Sequence, residues 1–335
     1  MITSINVKNL GPIEELDWAN VGKINLIIGA NDSGKTFLAK AIYAAVKTLE
    51  EFSRGDNPLK LDETLADKLY WTFQAKKLSD LVRKKADRME FDMRIDKEKF
   101  AYSIGARTER KITDVSYTGK QRDSNSVFIP PKEVLSLFSV IKKTRDIDKM
   151  FGFDETYLDL VKALEIEPQK GKNLKVFADA RKHLDEMLGG KIEYEEGNWQ
   201  CRKGNEKYQI HVTAEGIKKI AILDRLLGNR YLGKDSIIII DEPEANLHPQ
   251  AIVKFLEIVE SIAAAGCQVF IVSHSYFVIK KLYLLAKKSN SSIPVVSVTD
   301  ELVSISDLLE GIPDNPIINT AIALYDEEVE LTFDE

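Results

Sequence analysis

Cysteine and histidine are scarce in this chain, and long apolar runs are missing. The only cysteines, Cys201 and Cys267, have no metal-like company. That leaves no disulfide framework or zinc cluster to expect, and both read as reduced packing residues of a cytoplasmic protein. The four histidines, His183, His211, His248 and His274, are scattered. No apolar stretch approaches the roughly 20 residues that cross a bilayer, so no membrane association is expected. The first residues lack the basic start, apolar core and cleavage site of a secretion signal. Internal repeats and low-complexity linkers are also missing. The net charge of -6 argues against nucleic-acid binding by the whole surface. Lys76-Lys77, Arg83-Lys84-Lys85 and Arg88, on an expected helix, form either a local basic groove or a solvated face. The acidic end, 326–335, is expected to fray.

What is present is a globular composition, 44% hydrophobic and 30% charged over 335 residues, enough for one large domain or two ordinary ones. Its centre is Gly29-Ala30-Asn31-Asp32-Ser33-Gly34-Lys35-Thr36, which fits G-x-x-x-x-G-K-[ST]. A short apolar run, 23–28, precedes it, and a helical stripe from Phe37 to Leu49 follows. Strand, glycine loop and helix are the context in which this spacing cradles phosphate. The two glycines let backbone N–H groups converge on phosphate oxygens, and the helix start adds free donors and a positive dipole end. Lys35 is placed for the β- and γ-phosphates of a nucleoside triphosphate and the Thr36 hydroxyl for Mg²⁺.

In chain order, 2–8 and 15–21 read as strands turning at Gly11-Pro12, and a helix-rich interval spans 57–88. Two-residue alternation marks strands at Phe91, Met93 and Ile95 and at Phe100, Tyr102 and Ile104, and Ile112, Val115 and Tyr117 suggest another, exposed strand, an antiparallel side sheet. Val127-Phe128-Ile129 is a short strand before Pro130-Pro131, with a helix expected from Lys132. The stretch 145–188 is mainly helical and ends at Gly189-Gly190. Three further strands follow, around Ile192, Trp199 and Tyr208 to Val212. The alternation of later strands and helices around a phosphate loop predicts an α/β sheet with helical crossovers.

The run Ile237 to Ile240 predicts a central parallel strand buried on both faces. Asp241 and Glu242 at its end fall on the sheet edge where ligands gather. There Asp241 would hold Mg²⁺ and Glu242 would act as general base on water; without the phosphate loop, the pair would read as helix capping. His274 closes the next buried strand, placed to touch a γ-phosphate or position the water. His248 either senses a neighbouring site or caps the helix starting at Pro249. His211 is expected to face outward from a strand, and His183 to lie on a helix surface.

G-A-N-D-S-G-K-T, I-I-I-I-D-E-P-E-A-N-L-H-P and V-S-H-S, in that order, resemble ABC-type ATPase heads of the SMC, RecF and OLD branch over roughly residues 1–300. The resemblance implies an ABC-ATPase-like α/β P-loop NTPase head with an antiparallel side sheet and an inserted helical subdomain. It also implies a homodimer in which two heads sandwich two ATP molecules, or a higher oligomer built on it. Thr213 to Lys219 occupies the place of the family's signature, so the resemblance gives Thr213 and Gly216 contacts to the partner head's nucleotide. Ala214, Glu215 and Gly216 replace the usual serine and paired glycines, and Glu215 should point away from phosphate. Gln74 and Gln121 both remain candidates for the glutamine loop. F-I-P-P-K-E-V-L-S-L-F and A-E-G-I-K-K are similar to ATPases of Septu- and retron-type anti-phage systems, which implies a separate nuclease or toxin as effector and nucleic acid reached through it.

The expected division is 1–130 for a first ATPase lobe, 131–190 for a helical insertion, 191–310 for a second lobe and 311–335 for a tail. Three other readings stay open: a chromosome- or repair-type head that clamps DNA itself, a transporter's ATPase subunit, and a scaffold that holds ATP with little turnover.

Overall fold

Two large sheets with opposite habits dominate this fold. The structure, a computed structural model, describes residues 1–171, 173–195, 197–299 and 302–333. The chain opens with β1 (Ile2–Leu10) and β2 (Ile13–Trp18), then β3 (Ile24–Gly29), α1 (Lys35–Glu51) and α2 (Leu61–Phe73). Strands β4 (Arg88–Ile95), β5 (Glu98–Gly105) and β6 (Asp114–Tyr117) complete an antiparallel sheet in the order β2-β1-β4-β5-β6. One face of it is apolar, which is why its sequence alternates. Between β4 and β5, Asp96 (φ 50°) and Lys97 (φ 75°) both take left-handed backbone, which matches the twist of a two-residue hairpin.

The second sheet gains β7 (Val127–Ile129). After it come α3 (Phe138–Ile141), a π-helical turn at Lys142–Ile147, α4 (Glu155–Glu165) and α5 (Lys175–Leu188). The small antiparallel sheet β8 (Lys191–Glu195), β9 (Asn198–Lys203) and β10 (Glu206–Gln209) leads into α6 (Glu215–Gly228). The remainder is β11 (Ile237–Asp241), α7 (Pro249–Ala264), β12 (Gln268–Ser273), α8 (Tyr276–Ser289), β13 (Pro294–Val298), β14 (Val303–Asp307) and α9 (Pro316–Phe333). The order is β14-β13-β3-β12-β11-β7, parallel except for β13 with β14. Strands from both sides of the helical stretch therefore build one sheet.

Side chains of that sheet feed two cores by turns. Leu26, Ile28, Ile238, Ile240, Val269 and Ile271 point to the side of α5–α8. Ile27, Ile237, Ile239, Phe270 and Val272 point to the side of α1 and the antiparallel sheet. Burial on both faces is the physical reason these strands read as unbroken apolar runs. The parallel pairing of β3, β12 and β11 sends the loops after them out at one edge, side by side.

A closed set of charges lies beside α1. Lys68 reaches Glu51 (3.0 Å), Glu155 (3.1 Å) and Asp159 (3.3 Å), and Lys47 reaches Glu50 (3.2 Å). Tyr43 also donates to Asp159 (3.0 Å). Burial pushes the Asp159 carboxyl up, but Lys68 and Lys47 beside it leave it below its ordinary value.

Several expectations are corrected. The basic residues 76–88 are not on a helix: Leu78–Leu81 is a single 3-10 turn, Lys85 is left-handed (φ 72°), and Arg88 opens β4. Ordered helix from Lys132 begins only at Phe138, although Val134, Leu135, Phe138 and Ile141 share the buried face. His211 sits in a 3-10 turn, Ile210–Val212, which ends the third strand early. The acidic end continues as helix to Phe333, while Asp334 and Glu335 lie outside the described residues. Among the described residues, no helix is long and apolar enough to cross a membrane.

Candidate functional site

The loop between β3 and α1 is shaped by close approaches that only glycine permits. A side chain at Gly29 would meet the Val298 carbonyl at 2.1 Å, and one at Gly34 (φ 100°) would meet Pro12 at 2.5 Å. Ala30, Asn31 and Asp32 form the exposed rim, whereas Ser33 is buried with no partner for its hydroxyl. Lys35 folds back and donates to the Ala30 carbonyl at 2.5 Å. Burial lowers the pKa of its ammonium, opposed by Glu242, Asp241 and Glu244. A cation held on its own loop's carbonyl, at the N-terminus of a helix, is chemistry that suits a phosphate.

Asp241 ends β11 directly across from that loop. Its Oδ2 accepts the Thr36 hydroxyl at 3.0 Å, and its Oδ1 is buried without a partner. Desolvation pushes the carboxyl up to about 6, against the Thr36 hydrogen bond. An orphaned buried carboxylate oxygen beside a hydroxyl fits a divalent cation, so Thr36 and Asp241 could hold one. Among the described residues, no cluster of three or more acidic, histidine or cysteine side chains offers another metal site.

Glu242 follows in left-handed backbone (φ 49°), uncommon outside glycine. Its N–H donates to the Val272 carbonyl at 2.8 Å, and its own carbonyl accepts the Lys219 ammonium at 2.6 Å. Its carboxylate lies 3.3 Å from His274 Nδ1. Glu244 ties the same loops together by accepting from the Ser273 hydroxyl (2.7 Å) and the His274 N–H (3.1 Å). Carboxylate, imidazole and phosphate loop thus converge at one sheet edge, as a hydrolytic site for a phosphoanhydride requires.

Lys35, Thr36, Asp241, Glu242 and His274 are brought together as the sequence implied. Thr213 and Gly216 are placed elsewhere: Gly216 backs onto Asn246 and Leu247, beside a groove of about 450 Å³ that Ala214 and His248 also line. Glu215 turns to Lys218 at 2.8 Å. His248 caps α7, its Nδ1 accepting from the Gln250 N–H at 3.3 Å. His183 and His211 are exposed, and both cysteines are free and buried. Gln74 is bonded to Phe153 and Gly152, and Gln121 to the Glu50 carbonyl.

Sequence reasoning missed Glu244 and Lys219, and the pair Lys40–Asp154 (2.6 Å) beside Asp241. Glu244 could have been found, since the second acid of D-E-P-E falls on the same edge. Lys219 gave no such signal, because nothing in a Lys-Lys pair tells which ammonium reaches the site.

Solved structures with this fold include an SMC head bound to the C-terminal winged-helix domain of ScpA. It is 14% identical, with a TM-score of 0.53 over 91% of this chain and 97% of that one. Another is an Smc head with an extended coiled coil bound to the C-terminal domain of ScpA derived from Pyrococcus furiosus. It is 13% identical, with a TM-score of 0.53 over 97% and 98%. At this identity the likeness is one of fold, that of an ABC-ATPase head. No curated protein matches the sequence. A family profile, however, matches residues 24–280, which takes in the phosphate loop, both later strand ends and the signature-like segment. The chain therefore belongs to the family AAA_21, described as "AAA domain, putative AbiEii toxin, Type IV TA system".

Proposed function

We propose that this chain is a cytoplasmic, Mg²⁺-dependent ATPase that dimerises on ATP and regulates a separate effector, a nuclease or toxin, in defence against phage. The observation that carries the hydrolytic reading is the Thr36–Asp241 contact with one carboxylate oxygen left over, beside Glu242 and His274. In this reading the N–H groups of 29–36 receive phosphate oxygens, and Lys35 exchanges the Ala30 carbonyl for the β- and γ-phosphates. Mg²⁺, when bound, neutralises phosphate charge, and Thr36 and Asp241 would hold it. Glu242 accepts the proton of the attacking water at its carboxylate, and His274 orients that carboxylate. Thr213 and Gly216, at the start of α6, would close the site of a second copy, with helix N-terminal donors facing its γ-phosphate. The family description, which names a toxin and a toxin–antitoxin system, supports an effector as the output.

Replacing Glu242 by Gln should leave ATP binding intact and stop turnover, trapping a dimer on gel filtration with saturating ATP and Mg²⁺. A monomeric Glu242→Gln chain under those conditions would contradict the sandwich.

One surface supports a second reading, a head that clamps DNA itself. Lys8, Arg83, Lys84, Lys85 and Arg88 line a single surface cavity with Asn9, though Glu14, Asp87 and Glu90 share it. Salt-dependent binding of duplex DNA by the isolated chain would favour that reading.

A further inference from the structure

Two lysines next to each other on α6 are buried, and only the second reaches Glu242. Lys218, 1% exposed, bonds Ser136 and Glu215 at 2.8 Å and lies 3.6 Å from Glu133. Lys219, 3% exposed, goes the other way and donates to the Glu242 carbonyl at 2.6 Å. Glu242 stands in left-handed backbone, which costs a non-glycine residue energy unless its surroundings hold it there. Two bonds do so: the Val272 carbonyl takes its N–H, and Lys219 takes its carbonyl. Those bonds fix the peptide planes on either side of the residue, and hence the direction of its carboxylate toward His274. A buried ammonium spent on a backbone carbonyl, with three carboxylates around it, is an unusual use of charge.

We propose that Lys219 is a positioning residue for the hydrolytic base: from α6 it holds the Glu242 peptide in its left-handed turn and so aims the carboxylate. The inference rests on the ATPase reading above. It adds a link that reading lacks, because the same helix starts at Glu215, inside Thr213–Gly216, the segment assigned to the partner's nucleotide. A second copy seated against the start of α6 is then connected, within about one helical turn, to the base of this copy's own site. Gly216 packed on the Asn246 carbonyl joins the two segments at a second point.

The test compares Lys219→Met with Lys218→Met, which removes an equally buried ammonium from the same helix without touching Glu242. Lys219→Met should lower kcat about 10- to 100-fold and leave KM and ATP affinity within about threefold. Amide exchange across 241–244 should quicken. Lys219→Arg, which restores a donor, should recover most of kcat, while Lys218→Met should change kcat less than about threefold. Should Lys219→Met melt below the assay temperature, Lys219→Gln is judged by the same criteria. A kcat within about threefold of wild type, or an equal loss in Lys218→Met, would overturn the proposal. Failure of the underlying reading looks different: wild type would not turn over ATP, or Glu242→Gln would do so normally.

Discussion

The fold buries two clusters of charge, and they are finished differently. Beside α1, the Lys47 and Lys68 ammonium groups meet Glu50, Glu51, Glu155 and Asp159, and Arg122 closes on Glu50 at 3.1 Å. Arg145 pairs with Glu155 at 2.7 Å, and its Nε and Nη1, which have no hydrogen-bond partner, belong to a guanidinium lying over the Trp71 ring at 3.9 Å. At the sheet edge it is oxygens that go unpaired: Asp241 Oδ1, Glu244 Oε2 and the Ser33 hydroxyl have no partner, and the Lys35 cation rests on a backbone carbonyl and not on a carboxylate. Native proteins rarely leave buried polar atoms unpaired without a use for them. The first cluster is architecture, joining α1, α2 and α4. The second is arranged for charge that arrives from outside.

Breaking one ion in each cluster should therefore have opposite consequences. Lys68→Met takes a cation from two buried acids, Glu155 and Asp159, and from the partly exposed Glu51, and should cost about 3–5 kcal/mol in denaturant unfolding. Acid should act on the same cluster. The folded pKa of Asp159 lies below its unfolded value, so the stability it contributes is present above the unfolded value. That stability is lost as pH falls through the folded one. Asp241→Asn removes a charge that burial already disfavours, so the ligand-free chain should gain about 1 kcal/mol at neutral pH while losing Mg²⁺-dependent ATP turnover. A destabilised Asp241→Asn chain would mean that the two clusters serve the same purpose.

The open cluster was largely legible in the sequence, and the closed one was not. Gly29 to Thr36 are consecutive, so spacing encodes their geometry. Asp241 and His274 were placed by the rule that parallel strands end at one edge. Lys68 with Asp159 depends on long-range packing, and no local pattern announces it. The basic residues 83–88 failed for a related reason. Their composition suits a helix, but Lys85 in left-handed backbone and the pairing of Arg88 with Gly105 turn the chain into a strand. Lys219 shows the same limit inside the site, since its bonding partner, Glu242, is 23 residues away.

The most direct test of the central claim is calorimetric titration of ATP with Mg²⁺ into wild type and Lys35→Ala at equal stability. The open cluster predicts about one ATP per chain in wild type and an affinity lowered about 100-fold or more in Lys35→Ala, because the phosphate loses its buried charge partner. Unchanged affinity in Lys35→Ala would contradict the assignment of residues 29–36 as the triphosphate's seat.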